Sequence, residues 1–388
     1  MPVRSGGKNI NGVQRKYMFA TTLEHWGYRH IAKPFFFRRD PEAVHDRICG
    51  IGKRLGGFTI TRAVVRTLFC YQHPMLVQTI RGVRFPNPIG LTAGFDKNAE
   101  LTQIMPAVGF GFEEIGSVTG ESCEGNPKPR LWRLPKSKGL VVYYGLKNDG
   151  CEAIARRLRG RRFEIPIGTS VARTNCSETV PIEAGIADYV KAFRAFADIG
   201  AYFTVNVSCP NTCGGEPFTT PDRLELLLRA LDPIYTYKPV FLKLPADLTH
   251  DELDALMDVA SRHRVHGLII SNLTKRRDRP TINQTEIQGL DKGGIIGRPV
   301  FDPSNDLIAH AYRRINRHLI LIGSGGVFSA EDAYEKIRLG AYLVQLATGL
   351  IFEGPQLIGE INRGLVRLLK RDGFSSVSEA VGSSVRPC

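Results

Sequence analysis

The sequence predicts an α/β protein: a (β/α)8 barrel, of the TIM type, preceded by a helical extension. Eight short apolar runs each end in polar or small residues, and helical patterns lie between most of them. Such a repeat is typical of this barrel. The alternative is a doubly wound sheet, which usually carries a glycine-rich nucleotide loop after its first strand. Residues 92–97, Thr-Ala-Gly-Phe-Asp-Lys, do not form such a loop.

The predicted strands are 88–93, 113–116, 165–171, 202–207, 239–244, 267–271, 319–322 and 342–346. The clearest helical patterns cover 188–199, 222–231, 250–263, 302–316 and 330–339. Segments 119–149 and 275–299, after the second and sixth strands, are too long to be plain connectors. Long loops in compact domains are often functional, so both are candidate active-site lids.

Composition limits the class of protein. The chain has 388 residues, of which 43% are hydrophobic and 23% charged, which indicates a globular protein with room for one large barrel and an appendage. The net charge is +14, and residues 1–70 hold 13 Lys and Arg against 4 Asp and Glu. No long basic run is interleaved with aromatic residues, so we expect no nucleic-acid partner.

The eight cysteines form no CxxC pair, and no other His or Cys pair completes a zinc site. Their scatter predicts a reducing compartment and no bound metal. The N-terminus lacks the apolar core of a signal peptide. No apolar run approaches the ~20 residues that span a bilayer, so we expect no transmembrane helix.

Four regions follow along the chain. Residues 1–16 are predicted to be disordered, 17–78 to form a helical extension, 79–373 the barrel and 374–388 a polar tail. Within the extension, Asp40, Pro41 and Glu42 indicate a helix start, and Val44, Ile48, Ile51 and Leu55 follow at helical spacing. The extension is either a small helical cap on the barrel or a basic, aromatic hairpin. In the second case, residues 17–70 would lie on an anionic membrane surface and admit an apolar co-substrate.

The chemistry is concentrated in residues 206–212, Asn-Val-Ser-Cys-Pro-Asn-Thr, which follow the fourth predicted strand. Loops at the carboxyl ends of barrel strands carry catalytic residues. We interpret Cys209 as the catalytic group, and Asn206 and Asn211 as ligand clamps. The alternative is a polar turn with a buried small thiol.

Other strand ends indicate a cofactor. Gly325 and Gly326 follow the seventh strand and residues 345–349 the eighth, where barrels commonly bind phosphate. Lys243 ends an apolar run, where its ammonium could offset charge on an electron-rich cofactor. Further polar residues at strand ends are Asp96, Lys97, Ser117, Ser271 and Asn272. No paired carboxylates or His–carboxylate relay occur there, and the set suits flavin mononucleotide (FMN).

These motifs resemble the dihydroorotate dehydrogenase family, in its quinone-dependent, membrane-associated class. The resemblance covers roughly residues 28–382. It is carried by residues 87–97, 114–119, 125–130, 206–212, 241–243, 325–326 and 343–346. It implies a barrel that binds FMN and oxidises dihydroorotate to orotate in pyrimidine synthesis. It also implies a membrane quinone as acceptor and a peripheral position on the cytoplasmic face of the inner membrane.

The resemblance also implies roles for individual residues. Cys209 is the base that takes a proton from C5 of dihydroorotate. The residues implied to bind substrate are Lys97, Asn206, Asn211 and Asn272. Those implied to bind FMN are Ala93, Gly94, Ser117, Asn206, Lys243, Ser271, Gly297, Gly325, Gly326, Leu346 and Thr348.

The sequence also departs from the family pattern. The membrane-associated class ordinarily has serine at position 209, and a thiol would be the stronger base if a nearby cation lowered its pKa. Val142 stands where a substrate-binding asparagine is usual, and Leu273 where a threonine is usual. Ser170 replaces a flavin-facing asparagine, and Ile296 a serine.

Two outcomes of these departures remain open. Tyr143, Lys147 and Asn148 could supply the lost hydrogen bonds, or the substrate could be another cyclic amide or an enone. A third hypothesis is a flavin-binding, membrane-docked protein without turnover.

Overall fold

Eight parallel strands close into a barrel in the computed structural model, which describes residues 24–315 and 319–385. Each strand pairs with the next along the chain, and the eighth pairs with the first, Val344 opposite Ile89. The predicted fold class is therefore confirmed. The predicted disorder of residues 1–16 lies outside the described residues, as do Asn316, at the end of a predicted helix, and residues 386–388 of the predicted tail.

The barrel strands are buried on both faces, which explains their continuous apolar character. In chain order they are Ile89–Leu91, Phe112–Val118, Ile167–Val171, Tyr202–Asn206, Val240–Leu244, Gly267–Ile270, Ile320–Ser324 and Leu343–Leu346. The helices around and beyond them are Met105–Val108, Cys151–Leu158, Ile182–Ala195, Pro221–Leu231, His250–Ser261, Phe301–Arg314, Ala330–Arg338, Thr348–Glu353 and Leu357–Arg371.

Aromatic rings fill the amino-terminal half of the barrel. Phe112, Tyr202 and Phe241 pack edge to face there, and a hairpin of Gln78–Ile80 and Val83–Phe85 covers that end. A Cβ on Gly90 would lie 2.3 Å from the ring of Phe112, so only glycine fits beside it. The opposite, carboxyl-terminal end is left for the site.

Both candidate lids contain regular structure that the sequence patterns did not predict. Leu131–Leu134 and Gly139–Val142 form an antiparallel pair in the first lid, and Gly294–Gly297 of the second lid adds a third strand. The second lid also holds the short helix Gln284–Ile287. The two lids are thus one small sheet rather than two independent loops.

The N-terminal extension is helical from its first described residues. It holds Tyr28–Ala32, a π-helix, followed by Lys33–Phe37, Pro41–Gly56 and Thr59–Phe69. The predicted helix start is present: Asp40 Oδ1 accepts a hydrogen bond of 2.8 Å from the Ala43 amide. No helix in the described part of the chain is long and apolar enough to cross a membrane.

The C-terminal segment differs from the polar tail that we expected. Val377–Ala380 forms a helix, and Val377, Ala380 and Val385 are buried against the barrel. Polar residues separate these apolar positions in the sequence. The overall polar composition of the segment therefore did not predict that it packs against the barrel.

Candidate active site

One cavity at the carboxyl-terminal end of the barrel is lined by every residue to which we assigned a catalytic, substrate-binding or FMN-binding role. These residues are Ala93, Gly94, Lys97, Ser117, Asn206, Cys209, Asn211, Lys243, Ser271, Asn272, Gly297, Gly325, Gly326, Leu346 and Thr348. Asp96, the other polar residue that we noted at a strand end, does not line the cavity; its buried carboxylate accepts hydrogen bonds of 2.8 Å from the amides of Glu100 and Leu101. The empty space, including its open mouth, is about 1310 Å³. The strands bring the residues together because the carboxyl ends of parallel strands meet at one end of a barrel. Their individual roles stay predictions.

A glycine-lined cradle forms one end of the cavity. Gly325 and Gly326 have φ of 110° and 72°, in the left-handed region that favours glycine. A Cβ on Gly326 would lie 2.9 Å from the Cα of Phe301, and one on Gly297 would lie 2.4 Å from the carbonyl oxygen of Lys138. No side chain therefore fits at Gly326 or Gly297, and glycine backbone lines this end of the cavity, as it does in many phosphate-binding loops.

Lys243 lines the cavity and has a buried counter-ion, Glu114. Its Nζ donates to Thr92 Oγ1 over 3.0 Å and lies 3.8 Å from Glu114 Oε1. Glu114 is held in place by Thr204 Oγ1 and Gln345 Nε2, at 2.8 and 2.9 Å. Burial lowers the pKa of Lys243, and the Glu114 carboxylate opposes that shift. The carboxylate therefore favours the charged form of Lys243 at this wall of the cavity.

Two of the asparagines that were predicted to bind substrate, Asn206 and Asn272, are oriented by neighbouring serines. Asn206 Nδ2 donates to Ser117 Oγ over 2.8 Å, and its Oδ1 accepts from Ser208 Oγ over 2.9 Å. Asn272 Nδ2 donates to the Ser208 carbonyl over 2.7 Å. Ser208 therefore fixes both amides, a role that the sequence analysis missed.

Asn211, the second predicted clamp, links the loop that carries Cys209 to the lid sheet. Asn211 Nδ2 donates to the Val142 carbonyl over 2.8 Å, and the Asn211 carbonyl accepts from Asn126 Nδ2 over 2.9 Å. Asn126 is in turn bonded to Asn175, whose Oδ1 accepts from the Cys213 amide over 2.7 Å. The loop that carries Cys209 is thus held on both sides.

Burial, rather than a neighbouring cation, dominates the environment of the Cys209 thiol. Burial raises the pKa of its thiol to about 11, and Arg173 opposes this shift only in small part. Arg173 is instead bonded to the carbonyls of Thr179 and Cys213, where it anchors the loop. The condition under which Cys209 would be the stronger base, a thiol pKa lowered by a nearby cation, is therefore not met, because burial outweighs the charge of Arg173.

Lys97 is the cation on the opposite side of the cavity. Its Nζ lies 4.2 Å from the ring centre of Tyr144 and 3.5 Å from His45 Nε2. Burial lowers the pKa of Lys97 to about 8. Burial, followed by the charge of Lys97, lowers the pKa of His45. His45 comes from the N-terminal extension, and no local pattern in the sequence indicates its place beside Lys97.

A second, apolar cavity lies between the N-terminal helices and the barrel. Its empty space is about 1380 Å³. Its walls include Val44, Ile48, Ile51 and Leu55, the helical stripe seen in the sequence. The residues that line both cavities are His45, Phe95, Leu131, Leu140 and Ile351. The two cavities therefore share a wall.

Comparisons with known proteins agree on one family. A family model described as dihydroorotate dehydrogenase matches residues 75–369. The chain belongs to the dihydroorotate dehydrogenase family. A dihydroorotate dehydrogenase (quinone) of Gloeobacter violaceus is 39% identical over 355 residues, 91% of this chain and 98% of the relative. One of Natronomonas pharaonis is 38% identical over 362 residues, 92% of this chain and all of the relative.

Solved structures of the family are also similar. The Eimeria tenella dihydroorotate dehydrogenase in complex with ferulenol superposes with a TM-score of 0.79 at 27% identity, covering 90% of this chain and 96% of that one. Dihydroorotate dehydrogenases are flavin-dependent enzymes in general. The glycine cradle, where no side chain fits at Gly297 or Gly326, and the buried Lys243 side chain fit a phosphorylated flavin.

The departures from the dihydroorotate dehydrogenase pattern fall in different places. Val142, Leu273 and Ile296 line the cavity, whereas Ser170 lies behind it and bonds to Ser117 Oγ over 2.7 Å.

Of the residues expected to compensate for these departures, only Lys147 reaches the cavity. The Asn148 side chain is occupied by Thr119, Leu146 and Gly150, which rules out compensation by its amide. Tyr143 is not among the lining residues.

Proposed function

We propose that this protein is an FMN-dependent dihydroorotate dehydrogenase that oxidises dihydroorotate to orotate in pyrimidine synthesis and passes electrons to a membrane quinone. The observation that carries the proposal is the single cavity that joins a thiol, three lysines, three asparagines and a glycine cradle. Both relatives are named dihydroorotate dehydrogenase (quinone), and these names support the same reaction with a quinone as acceptor.

FMN would be held by the residues at the ends of the barrel strands and by the glycine cradle. The residues that would hold it are Ala93, Gly94, Ser117, Asn206, Lys243, Ser271, Gly297, Gly325, Gly326, Leu346 and Thr348. When bound, the flavin supplies the acceptor for the hydride that leaves C6 of the substrate. Lys243 would supply a positive charge beside the flavin.

The substrate would be bound by charge on one side and by amides on the other. Lys97 pairs with the substrate carboxylate, and the desolvated site strengthens this ion pair. Asn206, Asn211 and Asn272 each retain amide hydrogens or a carbonyl oxygen for the ring edges. Because Ser117 and Ser208 already orient two of these amides, little ordering is needed on binding.

Cys209 would act as the base. Its Sγ takes the proton from C5 of dihydroorotate, which it can do only as the thiolate. A thiol with a pKa of about 11 is protonated at neutral pH. The base therefore has to lose its own proton before each turnover, and the reaction should be faster in alkaline solution.

The quinone would reach the site through the apolar cavity beneath the N-terminal helices. Several large apolar side chains of these helices face solvent: Trp26, Ile31, Phe35, Ile51, Phe58, Ile60, Val64 and Leu68. Together with the basic excess of residues 17–70, they support peripheral docking on an anionic bilayer. We place this docking on the cytoplasmic face of the inner membrane.

A second candidate keeps the flavin barrel but changes the substrate to another cyclic amide or an enone. It is favoured by Val142 and Leu273, which give the cavity two apolar positions. A buried polar group on a ligand that lacks a partner costs about 1–3 kcal/mol. Dihydroorotate would bind weakly if its ring edge faced these residues.

Anaerobic reduction of the purified protein tests the proposal. Dihydroorotate should bleach the flavin absorbance, and a quinone should restore it. Cys209→Ala should abolish bleaching while FMN stays bound. A flavin that is bleached by other cyclic amides but not by dihydroorotate would support the second candidate. A flavin that no candidate reduces would indicate a binding protein without turnover.

A further inference from the structure

One buried lysine, Lys336, has no part in the function described so far. It lies in the helix Ala330–Arg338, and its side chain is fully buried. Its Nζ donates hydrogen bonds to Ser304 Oγ and, over 2.8 Å, to Asn305 Oδ1. Both acceptors are uncharged. Because a buried charge is unfavourable unless an opposite charge lies near it, the position favours an anion close to this ammonium.

Lys336 lies directly behind the glycine cradle. A Cβ on Gly325 would lie 3.4 Å from Ser304 Oγ, the hydroxyl to which the ammonium donates. The Lys336 Nζ is also 4.9 Å from the ring centre of Phe301, and a Cβ on Gly326 would lie 2.5 Å from the Cβ of Phe301. Gly325 and Gly326 line the cavity. One side chain therefore separates the ammonium from each of these two glycines.

The charges around Lys336 only partly compensate for its burial. Glu335 and Asp332 lie on its own helix, Asp302 lies at the start of the neighbouring helix, and Arg298 lies just before that helix. Arg298 Nη1 pairs with Asp332 Oδ1 over 2.7 Å. Burial lowers the pKa of Lys336 to about 7, although the three carboxylates oppose this shift and Arg298 adds to it. A further negative charge at the cradle would therefore favour the protonated form.

We propose that Lys336 is a positioning residue for the phosphate group of FMN, which its ammonium attracts to the glycine cradle across the Ser304 hydroxyl. The inference rests on the FMN site of the proposed function and deepens it. No side chain fits at Gly326 or Gly297, so neither position can supply a cation to the phosphate. Lys336 supplies the charge from behind the glycine backbone, in a buried region where charges interact more strongly than in water.

Competition between FMN and riboflavin tests the proposal, because riboflavin lacks only the phosphate. The purified holoenzyme is equilibrated with mixtures of the two flavins, the free flavins are removed, and the bound ones are quantified by chromatography. The ratio of the two affinities measures the preference for the phosphate. Contacts with the flavin ring, including any from Lys243, cancel in this ratio. A defect that lowers only the amount of folded protein does not change it.

Lys336→Met removes the charge, and Lys238→Met is the matched control. Lys238 is also a buried lysine, 2% exposed, whose Nζ donates to the Phe196 carbonyl over 2.7 Å. It precedes the strand Val240–Leu244 and therefore lies at the amino-terminal end of the barrel, away from the cradle. Loss of one buried cation near the phosphate should lower the preference for FMN in Lys336→Met by roughly 10-fold. Lys238→Met should keep the wild-type preference.

The preference of the wild type should also depend on pH. The phosphate is mostly a dianion above its second pKa of about 6. Lys336, with a pKa of about 7, loses its proton as the pH rises further, although a bound phosphate delays this loss. The wild-type preference for FMN should therefore fall between about pH 7 and 9. In Lys336→Met the preference should stay constant over this range.

The same preference in Lys336→Met as in the wild type would overturn the proposal, and so would an equal loss in Lys336→Met and Lys238→Met. A wild-type preference that does not change with pH would also overturn it, and this measurement needs no variant to fold. A wild type that binds neither flavin would refute the FMN site and this inference together. An unchanged preference in Lys336→Met, with a wild-type flavin that dihydroorotate bleaches, would refute this inference alone.

Discussion

Cys209 should control how the rate of substrate oxidation depends on pH. Burial raises the pKa of its thiol to about 11, so the reactive thiolate is scarce at pH 7. Its population, and with it the rate of flavin reduction at saturating dihydroorotate, should rise about tenfold for each pH unit up to pH 10. Anaerobic stopped-flow absorbance measures this rate. A constant rate over the same range would mean that another group is the base.

Lys97 should control substrate affinity rather than the rate at saturation. Lys97→Met removes the cation that pairs with the carboxylate, and KM should rise about 10–100-fold, since a charged hydrogen bond contributes about 1.5–3 kcal/mol. The wild-type KM should also rise above pH 8, because burial lowers the pKa of Lys97 to about 8 and the amine then loses its proton.

Lys147→Met is the matched control for Lys97. Lys147 also lines the cavity, but its Nζ already lies 3.9 Å from Glu42 Oε1. Its replacement should change KM much less. Equal changes in both variants would indicate that general positive charge, rather than Lys97 itself, binds the substrate.

Residues at strand ends could be predicted from the sequence, and their partners could not. Asn206, Lys243 and Gly325 each follow an apolar run, and barrel geometry brings such positions together. His45 lies on a helix outside the barrel and reaches Lys97 only through tertiary packing. Glu114 sits within an apolar strand as the counter-ion of Lys243, and nothing local in the sequence indicates that pairing.

At the scale of elements, one ion pair joins the helix Pro41–Gly56 to the lid sheet. Glu42 is 3% exposed, and its Oε1 lies 2.8 Å from Arg130 Nη2. Arg130 also donates to two backbone carbonyls of the lid, those of Glu124 and Asn126. The helix that forms a wall of the apolar cavity is therefore fixed to the sheet that covers the active site.

Breaking this pair should destabilise the whole protein. Glu42→Gln leaves the Arg130 guanidinium without a counter-ion, and loss of one partner of a buried pair costs about 3–5 kcal/mol. Urea unfolding followed by circular dichroism measures the change. Glu183→Gln, at an exposed position on a barrel helix, should stay within about 0.5 kcal/mol of wild type. A similarly small effect for Glu42→Gln would show that the lid and helix are not energetically coupled.

Acid should weaken the same pair. Burial raises the pKa of Glu42, but the hydrogen bonds and charge of Arg130 outweigh it, so the pKa is lowered overall. A carboxylate with a lowered pKa in the folded state stabilises the fold above its unfolded pKa and ceases to do so as pH falls. The difference in unfolding free energy between wild type and Glu42→Gln should therefore shrink below about pH 4.5.

The elements that escaped prediction are short. The strands of the lid sheet have four residues each, too few for an alternating pattern to be distinguished from loop sequence. They form because backbone groups that cover a cavity must be hydrogen-bonded. The barrel strands were easier to predict because apolar runs bounded by small and polar residues recur eight times.

At the scale of the whole molecule, the chain separates a polar site from an apolar one. The active-site cavity takes its polar groups from the barrel, and the second cavity takes much of its apolar wall from the N-terminal helices. Because the two share a wall, a water-soluble substrate and a lipid-soluble acceptor could reach adjacent positions from opposite directions. This separation explains why the exposed apolar residues are concentrated on the extension.

The exposed apolar side chains Ile60, Val64 and Leu68, on one face of the helix Thr59–Phe69, should therefore be needed for quinone turnover but not for dihydroorotate oxidation. The variant Ile60→Ser, Val64→Ser and Leu68→Ser removes side chains that are already exposed, so the fold should be retained. Burying an aliphatic side chain is worth about 1.5–3 kcal/mol, and these three side chains would be only partly inserted. Vesicle binding should fall at least about 100-fold.

Turnover with vesicle-embedded quinone should fall in the same variant, while turnover with a water-soluble dye stays at the wild-type rate. The variant Val180→Ser, Leu226→Ser and Tyr235→Ser removes exposed apolar side chains from other surfaces and should bind vesicles as the wild type does. Both variants lose three apolar side chains that face solvent. A difference between them in vesicle binding or quinone turnover must therefore come from the location of the lost side chains. Equal quinone turnover in the two would mean that the acceptor reaches the flavin by a route independent of this helix.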